Sequence, residues 1–504
     1  MVDTGTQEPK RTQAPAQWTR EADVVIIGYG GAGAAAAITA REELGTVIVL
    51  EKAPLAGGNT RTSSGGMRIP EDGEKAAQYI KAIGLGSIDD ETASLYGALW
   101  ATLPEWFDRH GAPLQYLSHP GRWNVAGVDT FKMIGEVASL EGYDFGCGRD
   151  LFSFLDKTAR TLGAEVMLDT PARRLVQEPA TGAIVGVMAS QGEREIAIKA
   201  KKAVIMTCGG FEGNRAMLAT YVEAAPVPIF VSGSPYNTGD GIKMVLDVGA
   251  DLWHMNNIEW GRQGLKVPEF PAAFWVHPLA WSWINVNRSG KRFRNESDTY
   301  AHAKKRLEVF SFDKANTEWP NHPWYLVFDE KTRTAGSIIT KGKEPGRPPF
   351  VTYNLSSDLY ENSPDNNKEI EKGWIKKADT WPDLAANMGI DAAGLQATIA
   401  RYNRNCAGTE AADPDFRRSP QTMEPIDRPP YYAMECAVNV VNTQGGPRRN
   451  AQCQVMNPYG SSIPGLYAGG EFGSIWGFLY PGAGNLPECL ISGIIAGRQA
   501  MAGQ

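Results

Sequence analysis

The strongest constraint on the fold comes from a strand, a glycine-rich turn, a helix and a second strand that follow one another near the N-terminus. Asp23–Ile27 is a short apolar run that stops at a glycine, which predicts a buried parallel strand. Gly28–Gly33 has the spacing GxGxxG, and the helix-forming run Ala34–Glu43 follows it. Val47–Glu51 is typical of a second strand that ends in an acid. This order predicts a βαβ unit that binds a dinucleotide.

Each position of this unit has a physical task. Gly28 permits the tight turn, Gly30 lets the backbone approach the pyrophosphate, and Gly33 lets the helix pack closely on the strand. The N–H groups at the positive end of the helix bind phosphates, and Glu51 accepts hydrogen bonds from a ribose. A glycine-rich turn without a ligand is the alternative, which the flanking strands and the terminal acid disfavour. The predicted cofactor contacts of the unit are Gly28, Gly30, Gly31, Ala32, Gly33, Glu51 and Lys52.

A second glycine-rich segment, Leu55–Gly66, favours FAD over NAD. The segment is small and polar, so its backbone and hydroxyl groups suit contacts with a large planar cofactor. A flexible loop is the alternative. We predict cofactor contacts at Gly57, Gly58, Asn59, Thr60, Ser64, Gly65 and Gly66.

Chain length and charge limit the remaining possibilities. Cores stop growing at about 250–300 residues, so a chain of 504 residues predicts two domains, or one domain split by an insertion. The net charge of −7 gives no basic excess for nucleic acid, and no apolar run reaches the ~18 residues of a membrane span. The start of the chain lacks the apolar core of a signal peptide, so we expect a flexible tail over residues 1–20 and a cytoplasmic protein.

The cysteines and histidines form no metal-binding pattern. The six cysteines include no CxxC pair, and the six histidines include no HExxH motif and no close pair. Haem, iron–sulfur and zinc sites are therefore not expected, and we predict no metal.

Further segments have a strand or turn that runs into glycines: Lys202–Gly210, Thr238–Asp251, Ile284–Glu296, Asn442–Gly446 and Gly465–Glu471. Together with the N-terminal unit, they resemble the FAD-dependent fumarate reductase/succinate dehydrogenase flavoprotein superfamily. The resemblance adds predicted cofactor contacts at Gly209, Gly210, Asp240, Gly470, Glu471, Gly484, Asn485 and Leu486.

The resemblance implies an α/β fold (α+β overall), in which a Rossmann-like FAD-binding domain is interrupted by a substrate-capping domain. We expect the FAD-binding domain over residues 21–256 and 439–504, and the capping domain over residues 257–438. Within the cap, Pro320–Pro382 is rich in Pro, Gly, Asn and Lys, which predicts irregular surface structure. Leu395–Cys406 is predicted to be a helix.

FAD is expected to bind without a covalent bond. In the respiratory-complex branch of the superfamily, a His after the first glycine pair carries the flavin. Asn59 occupies that position here, and no His lies between Glu51 and Arg109. The chain also has no haem segment, so we expect an external electron acceptor: a quinone, a dye, O2 or an electron-transfer protein.

A glycine motif near the C-terminus, Tyr480–Asn485, precedes an apolar helix predicted over Leu486–Gln499. If the N-terminus of this helix is aimed at the pyrimidine end of the flavin, it stabilises negative charge on the reduced ring. A capped core helix is the alternative that the same residues allow.

Three positions differ from the dicarboxylate reductases of the superfamily. These enzymes have a His where Asn442 stands and an Arg where Pro481 stands. Their proton-donating Arg follows the cap hairpin, where this chain has Glu296–Tyr300. A fumarate-type site is therefore not expected.

The 3-ketosteroid dehydrogenase branch, which inserts a C=C bond beside a ring ketone, is similar at the same places. In that reading the Tyr480 hydroxyl and the Gly484 N–H polarise the ketone, Tyr300 removes the α-proton, and flavin N5 takes hydride from the β-carbon. Tyr116 is the candidate for the branch's assisting Tyr, and Tyr143 competes with it. A Tyr has a pKa of about 10 and needs nearby positive charge to act as a base; otherwise it serves better as a proton donor in the reductive direction. Hydrogen bonding in a packed core is the alternative for both catalytic Tyr residues.

The polarity of the substrate stays open. A set of aromatic side chains is predicted either to line a pocket for a flat ring or to fill the core: Trp253, Trp260, Phe274, Trp275, Trp281, Trp283, Trp476 and Phe478. If Arg448 or Arg449 binds a carboxylate, the substrate is a small cyclic keto acid in place of a steroid. We predict an α,β-dehydrogenase of a cyclic ketone or keto acid. The alternatives are a flavin-dependent enoate reductase and an FAD-binding protein without activity.

Overall fold

The computed structural model of the chain describes residues 15–140, 146–222, 227–261, 263–297, 308–339, 359–407 and 413–503. The strands are β1 (Arg20–Ile27), β2 (Val47–Leu50), β3 (Met67–Pro70), β4 (Gln115–Ser118), β5 (Phe131–Glu136), β6 (Glu165–Met167), β7 (Ala172–Gln177), β8 (Ile184–Gln191), β9 (Arg194–Met206), β10 (Ile229–Val231), β11 (Leu252–Trp253), β12 (Ile258–Trp260), β13 (Gly264–Leu265), β14 (Phe274–Trp275), β15 (Trp283–Val286), β16 (Trp324–Asp329), β17 (Lys376–Ala378), β18 (Tyr431–Cys436), β19 (Val438–Thr443), β20 (Gly446–Pro447), β21 (Gln454–Met456) and β22 (Ser462–Ala468). The α-helices are α1 (Gly31–Glu42), α2 (Gly58–Thr62), α3 (Gly73–Gly84), α4 (Asp90–Ala101), α5 (Leu103–Arg109), α6 (Gly148–Thr161), α7 (Arg215–Tyr221), α8 (Asp240–Asp247), α9 (Glu330–Thr334), α10 (Asn367–Glu371), α11 (Trp381–Met388), α12 (Ala392–Cys406) and α13 (Asn485–Ala502).

The largest sheet has eight strands and contains the predicted N-terminal unit. Its order is β21-β22-β9-β1-β2-β6, with β8 pairing to β9 and β7 pairing to β8. The five strands from β22 to β6 are parallel, and the register places Val24 opposite Val47. The predicted strand–helix–strand order is confirmed, although α1 begins at Gly31 and not at Ala34.

Helix α1 packs against both the main sheet and α13. A Cβ at Gly493 would lie 2.4 Å from the carbonyl oxygen of Ala32, and one at Gly497 would lie 2.7 Å from that of Ala36. The two helices therefore touch backbone to backbone, which larger residues at these positions would prevent. This contact fixes the middle of α13 against the first half of α1.

The predicted cap contains an antiparallel sheet in the order β15-β16-β18-β17. Leu384 and Leu395, from α11 and α12, share a buried cluster with Ile284 and Val327 of this sheet. The prediction of irregular structure is wrong for Trp324–Asp329, because all six residues are buried in β16. This strand is short and its flanking residues are typical of loops. The composition of the whole segment Pro320–Pro382 therefore does not reveal the strand. The predicted helix is confirmed as α12, which begins three residues earlier.

Strand β19 begins at Val438, close to the predicted end of the cap. It runs parallel to β10 and antiparallel to β12 in a three-stranded sheet. The fold is the predicted mixed α/β arrangement, a Rossmann-like domain interrupted by a cap. The domain boundaries stay predictions, and Arg20, the last residue of the predicted tail, already belongs to β1. Among the helices described, none has the length and apolar character needed to cross a membrane.

Candidate functional site

A cleft opens at the carboxyl ends of the parallel strands β1, β2 and β9, where open α/β sheets bind ligands. Residues from both ends of the chain meet there. The predicted site residues that line it are Gly28, Gly30, Gly31, Ala32, Glu51, Lys52, Gly58, Asn59, Thr60, Ser64, Gly66, Gly209, Asp240, Gly470, Glu471, Tyr480, Asn485 and Leu486.

The remaining predicted residues lie elsewhere. Five glycines do not line the cleft, but each is adjacent in sequence to a residue that does: Gly33, Gly57, Gly65, Gly210 and Gly484. Tyr116 lies on β4, is 45% exposed and does not line the cleft. Tyr300, the predicted acceptor of the α-proton, lies outside the described residues, and so does Tyr143, which competes with Tyr116 for the role of the assisting Tyr.

The turn between β1 and α1 explains its three glycines. Gly28 has a φ of +96°, and a Cβ there would lie 2.4 Å from the carbonyl oxygen of Thr207. A Cβ at Gly33 would lie 2.2 Å from the carbonyl oxygen of Gly28. At Gly30 the nearest atom would be the carbonyl oxygen of Gly57, at 3.6 Å. The first and third glycines thus allow close packing within the protein, while the second leaves space beside the cleft.

One N–H group expected to meet a phosphate is already used. The N–H of Gly31 donates to Oγ1 of Thr60 at 3.0 Å, so it is not free for a ligand. Ala32 is the next residue of the first turn and lines the cleft. Because N–H groups in a first helical turn lack partners within the helix, its N–H is the better candidate for a phosphate contact.

Glu51 is held in place at the end of β2 by two backbone donors. Tyr29 N donates to Oε2 at 2.9 Å, and Ala53 N donates to Oε1 at 2.8 Å. Burial raises the pKa of Glu51. The carboxylate oxygens keep further acceptor capacity, which fits hydrogen bonds from ribose hydroxyls. At the rim of the cleft, Lys52 Nζ donates to Asp240 Oδ2 at 2.7 Å, so these two predicted contacts bind each other.

Three helices that start at the cleft have no side-chain cap. They are α1, α8 and α13, which follow Gly30, Gly239 and Gly484. Several helices that start elsewhere are capped, by Asp72, Asp89, Asn214, Thr380 and Asp391, whereas α5 and α10 also lack a side-chain cap. An uncapped N-terminus leaves its N–H groups and its positive dipole end available to an anion. This donor set fits a dinucleotide whose central pyrophosphate links an adenosine to a half that carries an electron-accepting ring.

A buried amide adds a further donor to the cleft. Gln444 Nε2 donates to Asn485 Oδ1 at 3.0 Å, and Asn485 Nδ2 donates to Asn442 Oδ1 at 3.3 Å. Asn442 is fully buried, and its Nδ2 has no hydrogen-bond partner among the residues that the structure describes. Because Asn442 lines the cleft, this donor fits an acceptor atom on a bound ligand.

The backbone of the C-terminal motif is held in place by two side chains. Arg68 is fully buried, and its side-chain Nε donates to the Gly482 carbonyl at 2.8 Å. The backbone N–H of Arg68 donates to the Ala483 carbonyl, also at 2.8 Å. Trp123 Nε1 donates to the Tyr480 carbonyl, also at 2.8 Å. Tyr480 itself lines the cleft and is only 5% exposed. The motif is therefore rigidly placed immediately before the N-terminus of α13.

The basic side chains along the described part of the cleft are Lys52, Arg68 and His119. Lys52 binds Asp240, and Arg68 donates to backbone carbonyls that include that of Pro120, at 2.6 Å. Burial and the neighbouring guanidinium lower the pKa of His119, so its ring is neutral at pH 7. No described lining residue is therefore an uncommitted cation.

Neither of the arginines considered for substrate binding lines the cleft. Arg448 is about half exposed and pairs with Asp251 at 2.9 Å. Arg449 is buried and pairs with Glu488. A carboxylate contact from either residue is thus not supported.

Of the eight aromatic residues considered, Trp275 lines the cleft, and most of the others fill the core. Phe478 is 61% exposed. Sequence reasoning missed lining residues that lie outside the predicted glycine segments: Arg68, His119, Ser232, Ser234, Tyr236 and Asn237. The described residues contain no group of three or more His, Cys, Asp or Glu that could hold a metal ion.

A family model described as an FAD binding domain matches residues 23–486. The chain is 30% identical to urocanate reductase from Eggerthella lenta, over 97% of this chain and 76% of that protein. It is 28% identical to 3-oxosteroid 1-dehydrogenase from Mycolicibacterium smegmatis, over 92% of this chain and 94% of that protein.

The chain is also 28% identical to NADH:fumarate oxidoreductase from Klebsiella pneumoniae, over 95% of this chain. It spans about half of that relative, 47% of its length. Among solved structures, 3-ketosteroid delta1-dehydrogenase from Sterolibacterium denitrificans matches with a TM-score of 0.78 and 21% identity. That match covers 96% of this chain and 100% of the other, and it supports the fold.

Proposed function

The chain belongs to the FAD binding domain family, and on this premise we propose that it is an FAD-dependent dehydrogenase that introduces a C=C bond α,β to the ketone of a cyclic substrate. The substrate class is a 3-ketosteroid or a smaller cyclohexanone. The observation that carries the proposal is the charge of the cleft. Its described cations, Lys52, Arg68 and His119, are bound to protein groups or neutral, so this wall suits an uncharged carbonyl better than a carboxylate.

The residues of the C-terminal motif have the chemistry that the reaction needs. The Tyr480 hydroxyl and the N–H of Gly484 would polarise the ketone oxygen as enolate charge develops, and one positioned donor is worth about 10²–10³ in rate. Tyr300, outside the described residues, keeps its proposed role as acceptor of the α-proton. FAD supplies the acceptor for the hydride that leaves the β-carbon, which balances formation of the C=C bond. Gly484 does not line the cleft itself but lies between two residues that do, Ala483 and Asn485. Tyr116 has no part in the proposal, because it is 45% exposed and neither lines the cleft nor adjoins a residue that does.

FAD is proposed to be held without a covalent bond. Asn59 stands where the covalent branch has its His, and its amide is engaged with Glu212 and Glu471. Among the described residues that line the cleft, His119 is the single His, and its Nδ1 lies 3.1 Å from Nη2 of Arg68. Acid precipitation should therefore leave the yellow colour in the supernatant. A yellow pellet would contradict this part of the proposal.

A flavin-dependent enoate reductase is the second candidate. It is supported by the 30% identity to urocanate reductase. In that direction Tyr300 would donate a proton, the role that suits a Tyr of ordinary pKa. Electrons would then come from an external donor; in the dehydrogenase direction they would go to a quinone, a dye, O2 or an electron-transfer protein.

Anaerobic bleaching of the flavin tests the proposal directly. The holoprotein is mixed with a 3-ketosteroid, cyclohexanone, 4-oxocyclohexanecarboxylate or succinate, and flavin absorbance is followed. Bleaching by a ketone and not by succinate is expected. Bleaching by succinate alone would overturn the proposal. Reoxidation of dithionite-reduced holoprotein by an unsaturated acid, without bleaching by any ketone, would favour the reductase.

A further inference from the structure

Two buried carboxyl groups meet at one amide beside the cofactor cleft. Glu212 is 2% exposed and Glu471 is 9% exposed. Asn59 Nδ2 donates to Glu212 Oε1 at 2.8 Å and to Glu471 Oε2 at 2.7 Å. Asn59 Oδ1 accepts from the N–H of Ser234 at 2.7 Å, which fixes the direction of the amide. Both N–H bonds of the amide therefore point at carboxyl groups.

The two carboxyl groups have very different sets of donors. Besides Asn59, Glu212 accepts hydrogen bonds from Asn237 Nδ2 at 2.7 Å, from Thr443 Oγ1 at 3.0 Å and from Thr443 N at 3.2 Å. For the carboxyl group of Glu471, the contact with Asn59 is the one hydrogen bond within the described part of the chain. Several donors stabilise an ionised carboxylate, which favours Glu212 as the member that carries the negative charge. Glu471 lines the cleft in which the cofactor is expected to bind.

The surroundings favour a proton on this pair. The titratable groups of the packed elements that interact with Glu471 are Glu259, Glu488 and Cys489. Arg449 pairs with Glu488. Burial raises the pKa of both members of the pair, and the neighbouring carboxylate raises that of Glu471 further.

We propose that Glu212 and Glu471 carry a single proton at neutral pH, that Glu471 holds it, and that this neutral acid donates an O–H hydrogen bond to an acceptor atom of FAD. The proposal concerns the cofactor site and does not depend on the substrate. Loss of the proton removes the donor and places a second negative charge beside an anionic cofactor. FAD affinity is therefore linked to pH, and it weakens as pH rises through the pKa of Glu471, by up to about tenfold per pH unit.

Infrared spectroscopy of the holoprotein tests the protonation state. The difference spectrum between wild type and Glu471→Gln at pH 7 should contain the C=O band of a protonated carboxylic acid. The difference between wild type and Glu212→Gln should contain a carboxylate band. The absence of an acid band from the first difference would overturn the proposal.

The FAD dissociation constant, measured by fluorescence against pH, tests the linkage. Gln keeps an N–H donor, so Glu471→Gln should bind FAD with a nearly pH-independent constant while wild type weakens at high pH. Glu212→Gln removes the charge that acts on Glu471, so its profile should shift to lower pH. The surface variant Glu178→Gln should follow wild type. If wild type and Glu471→Gln show the same dependence of the FAD dissociation constant on pH, the proposal is contradicted. If Glu471→Gln fails to fold, a Glu212→Gln profile that is not shifted from wild type contradicts the proposal.

Discussion

Arg68 donates a hydrogen bond of 2.8 Å from its guanidinium Nε to the carbonyl oxygen of Gly482, although the two residues are 414 positions apart in the chain. The side chain is fully buried, and its Nη1 also donates to Pro120 at 2.6 Å. One residue of β3 therefore ties the C-terminal motif to the segment before β5. This contact holds the motif two residues after Tyr480, whose own carbonyl accepts from Trp123.

Replacement of Arg68 by Met should destabilise the protein and slow its reaction. The change leaves the buried carbonyl group of Gly482 without this donor, which costs about 1–3 kcal/mol for an unsatisfied group. Thermal unfolding and flavin bleaching by a ketone would measure the two effects. The exposed Arg401→Met is the control and should stay within about 0.5 kcal/mol of wild type. Equal stability of the two variants would show that the contact with Gly482 is dispensable.

Replacement of Tyr480 by Phe should slow flavin bleaching by the ketone substrate by about 10²–10³ and leave FAD bound, because one hydrogen-bond donor to the oxyanion is removed. Stopped-flow absorbance under anaerobic conditions gives the rate, and the flavin spectrum gives the occupancy. Tyr116→Phe is the matched control: this residue lies half exposed on β4, away from the cleft, and its variant should react at the wild-type rate. If flavin bleaching is slow in Tyr116→Phe and proceeds at the wild-type rate in Tyr480→Phe, then Tyr116 and not Tyr480 donates to the ketone oxygen.

Local signals predicted the cofactor unit well. The runs Asp23–Ile27 and Val47–Leu50 appear as β1 and β2, and the GxGxxG turn lies between them. The signals that predict this unit, periodicity and glycine spacing, all lie within about 30 positions of one another, although its residues also contact distant segments such as Thr207. The same kind of local signal predicted the C-terminal helix over Leu486–Gln499, and α13 begins one residue earlier and ends three residues later.

Contacts between distant segments could not be predicted in this way. Nothing in the sequence near Arg68 indicates that its charge is met by carbonyl groups 414 positions later. The same holds for Asn59, which joins carboxyl groups from two other glycine segments. The strand Trp324–Asp329 was missed because its apolar run is short and its partners, β15 and β18, are distant in the chain.

The stability of the protein should depend on pH through Glu488. Burial outweighs the charge of Arg449 and raises the pKa of Glu488 to about 7, against about 4.3 in an unfolded chain. The native carboxyl group holds its proton more tightly, so its contribution is complete below about pH 4 and is lost as pH rises to about 7. Relative to Glu488→Gln, the unfolding free energy of wild type should therefore fall across this interval and level off above it. Denaturant titrations at a series of pH values would measure the difference, and a constant difference would argue against a raised pKa.

Two glycines of the first turn should separate cofactor binding from folding. At Gly33 a Cβ would lie 2.2 Å from the Gly28 carbonyl and 2.8 Å from Thr207 Oγ1, so Gly33→Ala must push α1 away from β1. At Gly30 the nearest protein atom would be 3.6 Å away, so Gly30→Ala fits the protein and intrudes only on the cleft. We expect Gly33→Ala to lower the unfolding free energy by about 1–3 kcal/mol.

For Gly30→Ala we expect a thermal midpoint close to that of wild type without added FAD, and FAD binding weaker by at least about tenfold, which corresponds to about 1.4 kcal/mol. The added methyl group occupies the space through which the backbone approaches the pyrophosphate. Fluorescence titration of the apoprotein with FAD, beside a thermal melt without FAD, separates the two effects. If Gly30→Ala binds FAD as wild type does, the phosphates do not pass over this turn, and the uncapped N-terminus of α1 faces some other part of the ligand.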